Sequence, residues 1–349
     1  MQLGEERGQQ MRRITGHIGL RTVKTALGAA LAIYISQRLG LSYAGNSGII
    51  VILSIQTTKK KSMDLALMRL GSTVLALSIG AVMFSTLGFN YLAFGAYLLV
   101  FIPLAAKLKF NDGIVPCSVL VSHLLAIQSV ALPWLGNEMM QMVIGAGIGF
   151  LFNLQMPNLE KELNADIIEI EKLQKGILIS MAGSLRNRKT SMKEENLYER
   201  LELKLQSAYE KALRESGNHL VNEVTYYVRY MEMRSVQFEI LRYMRKYDKK
   251  VYQNSEHPEM VANLTLIASD EFREFNTKEK LFTELAEYKA IFRAMELPVT
   301  REAFENRASL YEFVNDLERL IDIKREFIEN LDKADKNKFM KDLVESEAL

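Results

Sequence analysis

One titratable side chain stands in the middle of an apolar stretch of this sequence. His123 lies in residues 114–132, IVPCSVLVSHLLAIQSVAL, together with Ser118, Ser122 and Gln128. An ionisable residue at mid-membrane depth usually faces neighbouring helices or a wet cavity, because exposing it to lipid is costly. Since imidazole titrates near neutral pH, His123 could carry a proton or meet an anion. The alternative is a neutral histidine that is hydrogen-bonded to a neighbouring helix.

A second polar group interrupts the apolar pattern at residues 45–48, Gly-Asn-Ser-Gly. Glycine destabilises a helix by up to about 1 kcal/mol relative to alanine. The two glycines around Asn46 and Ser47 therefore indicate a break in the chain at the start of an apolar stretch. This break is either an unwound helix start whose freed backbone groups hold a substrate, or an ordinary loop after Leu41. Both interpretations remain open.

Basic side chains flank the apolar stretches and form a third candidate group. Lys59, Lys60 and Lys61 are consecutive, Arg69 follows them, and Arg21 precedes the first apolar stretch. Lysine and arginine are retained on the cytoplasmic side of a membrane, so the three lysines are interpreted first as topology and lipid anchors. The alternative is a contact with a lipid headgroup or an anionic substrate at the inner mouth of a pathway.

These residues belong to six apolar stretches in the first 157 residues. Stretches of about 17–25 apolar residues cross a bilayer as helices, and none of the six alternates as the strands of a membrane barrel do. The sequence therefore predicts a six-helix transmembrane bundle with short external loops, the last at residues 133–138. The second and fourth stretches are short and need flanking residues or a thinner bilayer. The predicted stretches are 22–41, 43–55, 70–87, 91–106, 114–132 and 139–156.

The basic residues of this half are distributed asymmetrically. Arg38 alone lies on one side of the predicted spans, and all the other lysines and arginines before Pro157 lie on the opposite side. Because cations are enriched in cytoplasmic loops, this asymmetry predicts a multi-pass plasma-membrane protein with both termini in the cytoplasm. We interpret the basic charge as a sign of topology and of contact with membrane lipids, and not of nucleic-acid binding.

Small residues recur at helical spacing in two of the stretches. Gly145 and Gly149 form a GxxxG pattern in the sixth, and Ser72, Ala76 and Gly80 form a four-residue stripe in the third. In lipid there is little hydrophobic drive between helices, so close approach over small residues contributes much of the packing. These five positions are therefore predicted helix contacts.

The composition changes at Asn158, where the chain turns from net basic to net acidic. We predict two domains, a transmembrane domain at residues 1–157 and a cytoplasmic helical bundle at residues 158–349. Apolar residues recur there at three- and four-residue spacing and no segment alternates as a strand does, which makes the fold all-α. Thr300 is predicted to cap the last helix. The predicted helices are 162–181, 195–216, 218–252, 258–275, 277–296 and one from Thr300 to residue 333.

Few side chains suit catalysis or metal binding. Cys117 is the single cysteine, which rules out an intramolecular disulfide and a cysteine-based zinc site. His219 and His257 have no partners at the spacing of metal ligands. The sequence also has no nucleotide-binding or hydrolase motif, which argues against ATP-driven pumping. We therefore expect no enzyme activity, no cofactor and no metal.

Several sequence features together resemble the aromatic acid exporter family, the fusaric-acid-resistance-like membrane proteins. They are the six spans, the short second span that runs into Thr57-Thr58-Lys59-Lys60-Lys61, and Arg69-Leu-Gly-Ser-Thr at the third span. The resemblance is to the short bacterial form with a helical C-terminal domain and covers about residues 15 to 335. Two details depart from the family pattern. Gly71 comes one residue early, and Tyr43-Ala44 replaces a Trp-Ala pair.

The resemblance implies export of small organic carboxylates, aromatic ones among them, by secondary transport in a homodimer or higher homo-oligomer. Arg21, Arg69 and the three lysines would attract the anion at the cytoplasmic mouth. The expected pathway residues inside the bundle are His123, Asn46, Ser47 and Gln128. Two other functions remain open: a passive organic-anion channel of the malate type, and a non-transporting membrane scaffold whose acidic bundle is a sensor.

Overall fold

The computed structural model describes residues 20–187, 192–219, 225–251, 258–271, 279–332 and 335–336. Every regular element in these residues is helical. The chain divides into two compact units. The first unit is Met1–Pro157 with Gly217–Asn222, and the second is Asn158–Ser216 with Glu223–Leu349.

The first unit has a helix at each of the six predicted stretches, although the bounds differ. Only α3 and α6, among the described residues, are long and apolar enough to cross a membrane by length and composition. α2, α4 and α5 are apolar but shorter. The helices are α1 Leu20–Arg38, α2 Gly45–Ser54, α3 Lys59–Leu87, α4 Tyr91–Lys107, α5 Ile114–Ile127 and α6 Leu132–Asn153, with a 3-10 turn at Asn111–Gly113.

The Gly-Asn-Ser-Gly segment is neither unwound nor a loop, so both sequence interpretations of it were wrong. Gly45 is the first residue of α2 and the other three residues continue the helix. The Ser47 hydroxyl donates a hydrogen bond to the Ala44 carbonyl, 2.7 Å away. A Cβ on Gly48 would lie 2.8 Å from the Ile33 side chain and 3.2 Å from the Ala29 carbonyl oxygen. Gly48 therefore serves the close packing of α2 on α1.

Two other boundaries also differ from the prediction. α5 ends at Ile127, and Gln128 adopts a left-handed conformation with φ 54°, which terminates the helix. α6 begins at Leu132, so residues 133–138 are helical and the predicted loop there was wrong. Lys59, Lys60 and Lys61 form the first turn of α3, where the Thr58 hydroxyl accepts a hydrogen bond from the Lys61 amide at 3.3 Å.

Small residues lie where helices of the first unit approach each other closely. On α3, a Cβ on Gly80 would lie 2.9 Å from Val121 of α5, and the Ser72 side chain lies against Gly113. Ala76, between them on the same face, is fully buried. On α6, a Cβ on Gly145 would lie 2.6 Å from the Cβ of Ile50, and one on Gly149 would lie 2.5 Å from the Cβ of Ser54. Both glycines of α6 therefore pack against α2.

In the described residues, the second unit has six further helices around one apolar core. The predicted cap is confirmed, because the Thr300 hydroxyl accepts a hydrogen bond from the Ala303 amide at 3.1 Å. The predicted start of the third helix at residue 218 was wrong, since Gly217–His219 is not helical, and residues 220–224 lie outside the described residues. The helices are α7 Glu160–Asn187, α8 Met192–Ser216, α9 Tyr226–Val251, α10 Pro258–Glu271, α11 Glu279–Ala294 and α12 Arg301–Glu329.

A buried ion pair lies in the core of the second unit. The guanidinium of Arg234 on α9 pairs with the carboxylate of Glu171 on α7, and both side chains are almost fully buried. The Tyr230 hydroxyl donates to Glu171 at 2.7 Å and accepts from Arg234 Nε at 2.9 Å. Burial, together with the adjacent carboxylate, raises the pKa of Tyr230 well above its ordinary value. Gln237 extends the network by donating to the Leu320 carbonyl of α12 at 2.7 Å.

We predict that Gly145→Ala destabilises the first unit, whereas Gly147→Ala does not. The new methyl group at residue 145 would also lie 2.7 Å from the Ser47 carbonyl oxygen, while a Cβ on Gly147 meets nothing within 4 Å. Overpacking of this kind costs about 1–3 kcal/mol. Thermal unfolding of the detergent-purified protein should show a lower midpoint for the first variant. Equal midpoints would contradict the close approach of α6 to α2.

We predict that Arg234→Ala strongly destabilises the second unit. Removing one partner leaves the Glu171 carboxylate buried without its counter-charge, which costs about 3–5 kcal/mol. Arg301→Ala is the matched control, because its ion pair with Glu305 is exposed and such pairs contribute little. Denaturant unfolding followed by circular dichroism measures both variants. A similar small effect for the two arginines would show that the buried pair is not required for stability.

Candidate functional site

The structure pairs His123 of α5 with a carboxylate of α6. Its Nδ1 atom lies 2.9 Å from Oε2 of Glu138, whose side chain is 0% exposed, compared with 13% for His123. The other oxygen, Oε1, accepts a hydrogen bond from the Asn137 amide at 3.0 Å. A carboxylate removed from water is costly unless other groups satisfy its oxygens. His123 and Asn137 supply these partners.

Asn46 of α2 contacts the second nitrogen of the same imidazole. Its amide nitrogen lies 3.1 Å from Nε2 of His123. The same amide nitrogen lies 3.4 Å from Nδ1, so Asn46 packs against the ring and not on Nε2 alone. A carboxylate oxygen accepts, so the Nδ1 atom that faces Glu138 is the donor of that pair. The contact between Asn46 and His123 therefore joins α2 to α5 beside the Glu138 carboxylate.

The turn before α2 is fixed to the other helices around this pair. The Tyr43 ring stacks on the imidazole, with centroids 4.5 Å apart and an interplanar angle of 9°. The Ser42 amide donates to Asn137 Oδ1 at 2.8 Å, and the Ser42 carbonyl accepts from Gln141 at 2.6 Å. These contacts place α2, α5 and α6 around one polar cluster, which we name the histidine cluster: Ser42, Tyr43, Asn46, His123, Asn137, Glu138 and Gln141.

The opposite end of α2 has a different set of polar contacts. The last carbonyl groups of a helix have no partner within it, and here other helices supply one for each of four consecutive residues. Two of the donors are arginines, whose positive charge is favourable at a helix C-terminus. Leu53 accepts from Arg69 Nη2 at 3.1 Å, Ser54 from Ser62 at 3.2 Å, Ile55 from Arg21 at 3.3 Å, and Gln56 from Asn153 at 3.0 Å.

A single stripe of α6 follows the whole length of α2. Its members recur every fourth residue, which places them on one face of the helix. The polar members bind the backbone before and after α2, and the two glycines face α2 itself. The stripe consists of Asn137, Gln141, Gly145, Gly149 and Asn153.

The predicted pathway residues are thus divided between the two ends of α2. His123 and Asn46 are in direct contact at the N-terminal end, and Ser47 lies beside them with its hydroxyl 2.9 Å from that of Ser36. Arg69 and Arg21 bind the C-terminal end of α2. Gln128 is exposed at the end of α5 and is not part of the histidine cluster.

Sequence reasoning missed Glu138, the partner of His123. Glu138 is the only acidic residue between Asp112 and Glu160, and it stands at the edge of an apolar stretch. An isolated carboxylate in that position is a signal of an intramembrane site. It was missed because residues 133–138 were predicted to be a loop.

Two family models match adjacent parts of the chain. The model for aromatic acid exporter family member 1 matches residues 16–156, and the model for the putative aromatic acid exporter C-terminal domain matches residues 160–325. The uncharacterized protein YqjA of Bacillus subtilis (strain 168) is 34% identical over 310 residues, which are 89% of this chain and 96% of that protein. The crystal structure of a putative membrane protein from Clostridium difficile 630 is similar with a TM-score of 0.43 and 19% identity, over 48% of this chain and 97% of the other.

Proposed function

Because the chain belongs to the aromatic acid exporter family, we propose that it exports small organic carboxylates, aromatic ones among them, by proton-coupled secondary transport. The buried pair of His123 and Glu138, in contact with Asn46, is the observation that supports this proposal. It is a titratable pair in an apolar unit, and such groups are commonly proton relays in transporters. The membrane is the bacterial plasma membrane, with both termini in the cytoplasm.

Proton binding is coupled to α2 through the imidazole. With Nε2 unprotonated, the Asn46 amide lies against the ring and Glu138 accepts from Nδ1. A proton arriving at Nε2 neutralises the net charge of the pair and repels the Asn46 N–H, so the contact that holds α2 on α5 is lost. Release of the proton restores that contact. α2 is therefore the element whose position depends on the protonation state.

The anion is attracted by cations at the opposite end of α2. Arg69 and Arg21 lie there, and Lys59, Lys60 and Lys61 begin the next helix. Clustered cations raise the local concentration of small anions and increase their rate of association. In the proposed orientation this end faces the cytoplasm, which is the side from which an exporter takes its substrate.

We predict that Glu138→Gln and His123→Ala abolish the pH dependence of carboxylate flux. In proteoliposomes with an imposed pH gradient, export by the native protein should accelerate as the proton gradient increases. Both variants should instead transport at a slow rate that does not respond to pH, because the pair that takes up the proton is gone. Asp64→Asn is the matched control, since Asp64 is an exposed carboxylate of the same unit. An unchanged pH dependence in the two variants would refute the coupling role.

The same vesicles separate export from the other two functions. Large voltage-driven anion currents without a proton gradient would identify a passive channel. No flux for any of several aromatic and aliphatic carboxylates would identify a non-transporting scaffold. We further propose that the working unit is a homodimer or a higher homo-oligomer, which light scattering of the detergent-purified protein would test against the monomer mass.

A further inference from the structure

A cavity of about 450 Å³ lies at the C-terminal end of α2, away from the histidine cluster. Its volume is within the range of small-molecule sites, about 300–1,000 Å³. The polar part of its wall consists of Gln56, Lys61, Arg69, Asn111 and Asp112, and Leu65 and Val115 belong to the apolar part. This mixture of a few charged groups with an apolar wall is typical of sites for small amphipathic ligands.

Arg69 is the charged group of this wall that has unused binding capacity. The residue is 4% exposed, and its two terminal nitrogens donate to the Ser54 hydroxyl at 2.7 Å and to the Leu53 carbonyl at 3.1 Å. Its third nitrogen, Nε, is buried and has no hydrogen-bond partner among the described residues. A buried donor without a partner is costly. Arg69 is part of the cavity wall, so the positive charge of its guanidinium lies beside any anion bound there.

Two helix starts add to the positive potential around the cavity. Lys61 lies in the first turn of α3, and Val115 lies in the first turn of α5. The N-terminus of a helix carries a partial positive charge, which favours an anion. Of the three consecutive lysines, Lys61 alone lines the cavity.

The formal charges of the wall determine how much negative charge the ligand can carry. Lys61 and Arg69 contribute two positive charges, and Asp112 contributes one negative charge. A monocarboxylate neutralises the remaining positive charge. A dicarboxylate leaves one uncompensated negative charge beside Asp112, and like charges at short distance repel each other.

We propose that this cavity is the cytoplasmic-side substrate site and that it selects monocarboxylates over dicarboxylates. The carboxylate lies at Arg69 and Lys61, the apolar body of the ligand lies against Leu65 and Val115, and Asp112 rejects a second carboxylate. The inference rests on the proposed export function, because it names the class of substrate that is exported. The proposed selectivity also argues against a channel that conducts dicarboxylates.

Binding to the full-length protein in phosphatidylcholine nanodiscs tests the inference without any flux measurement. Benzoate and phthalate are suitable probes, because they share one ring and differ by one carboxylate. Titration calorimetry should give a tighter Kd for benzoate than for phthalate, by about tenfold for one uncompensated charge. Lys61→Gln should weaken benzoate binding by about two- to fivefold, the effect of one exposed ion pair. Lys107→Gln is the matched control and should leave it unchanged.

Asp112→Asn is the decisive variant, since it should tighten phthalate binding more than benzoate binding and so reduce the selectivity. Lys61, Lys107 and Asp112 are exposed, so these variants should fold. The inference is overturned if benzoate does not bind or if Lys61→Gln and Lys107→Gln change the Kd for benzoate equally. It is also overturned if Asp112→Asn leaves the ratio of the Kd values for phthalate and benzoate unchanged. Selective benzoate binding that depends on Lys61, without flux in vesicles, would support the cavity and refute export. Carboxylate flux in vesicles without such binding would support export and refute the proposed substrate site.

Discussion

The first unit depends on satisfying the backbone polar groups of one short helix. α2 has ten residues, so its length is about 15 Å, half the thickness of a bilayer core of about 30 Å. The carbonyl groups at its C-terminal end have no partner within the helix and need donors from outside it. α1, α3 and α6 supply the donors instead, through Arg21, Arg69 and Asn153 among others.

This requirement explains why the polar residues of an otherwise apolar unit are concentrated at two places. The donors at the C-terminal end of α2 stabilise its carbonyl groups, and one of them, Arg69, also forms part of the wall of a charged cavity. The side chains at the N-terminal end bind the preceding turn and surround the His123–Glu138 pair. The same side chains thus have a structural role and a place in the proposed transport cycle. One helix, α2, joins the two places.

The second unit satisfies its buried polar groups in a different way. Its central ion pair between Arg234 and Glu171 is surrounded by Tyr230, Gln174 and Gln237, so the guanidinium and the carboxylate have several hydrogen-bond partners. A buried pair of this kind contributes little net stability compared with apolar packing, but it is costly to break. The pair joins one face of α9 to one face of α7.

The sequence by itself determined the helical class, the positions of six helices in the first half, the cap at Thr300 and the family. These properties depend on local composition and on periodicity along the chain, which are visible in any window of residues. It also identified His123 and Asn46 as candidates, but not their contact, and it missed Glu138 because the boundary between α5 and α6 was placed too late.

The Gly-Asn-Ser-Gly segment was misjudged because helix propensity disfavours glycine, whereas the packing of Gly48 on Ile33 and Ala29 requires it. Only the tertiary structure decided which polar groups meet at the two ends of α2. Those contacts join residues up to 99 positions apart in the chain, and a local stretch of sequence does not indicate which distant residues it will contact.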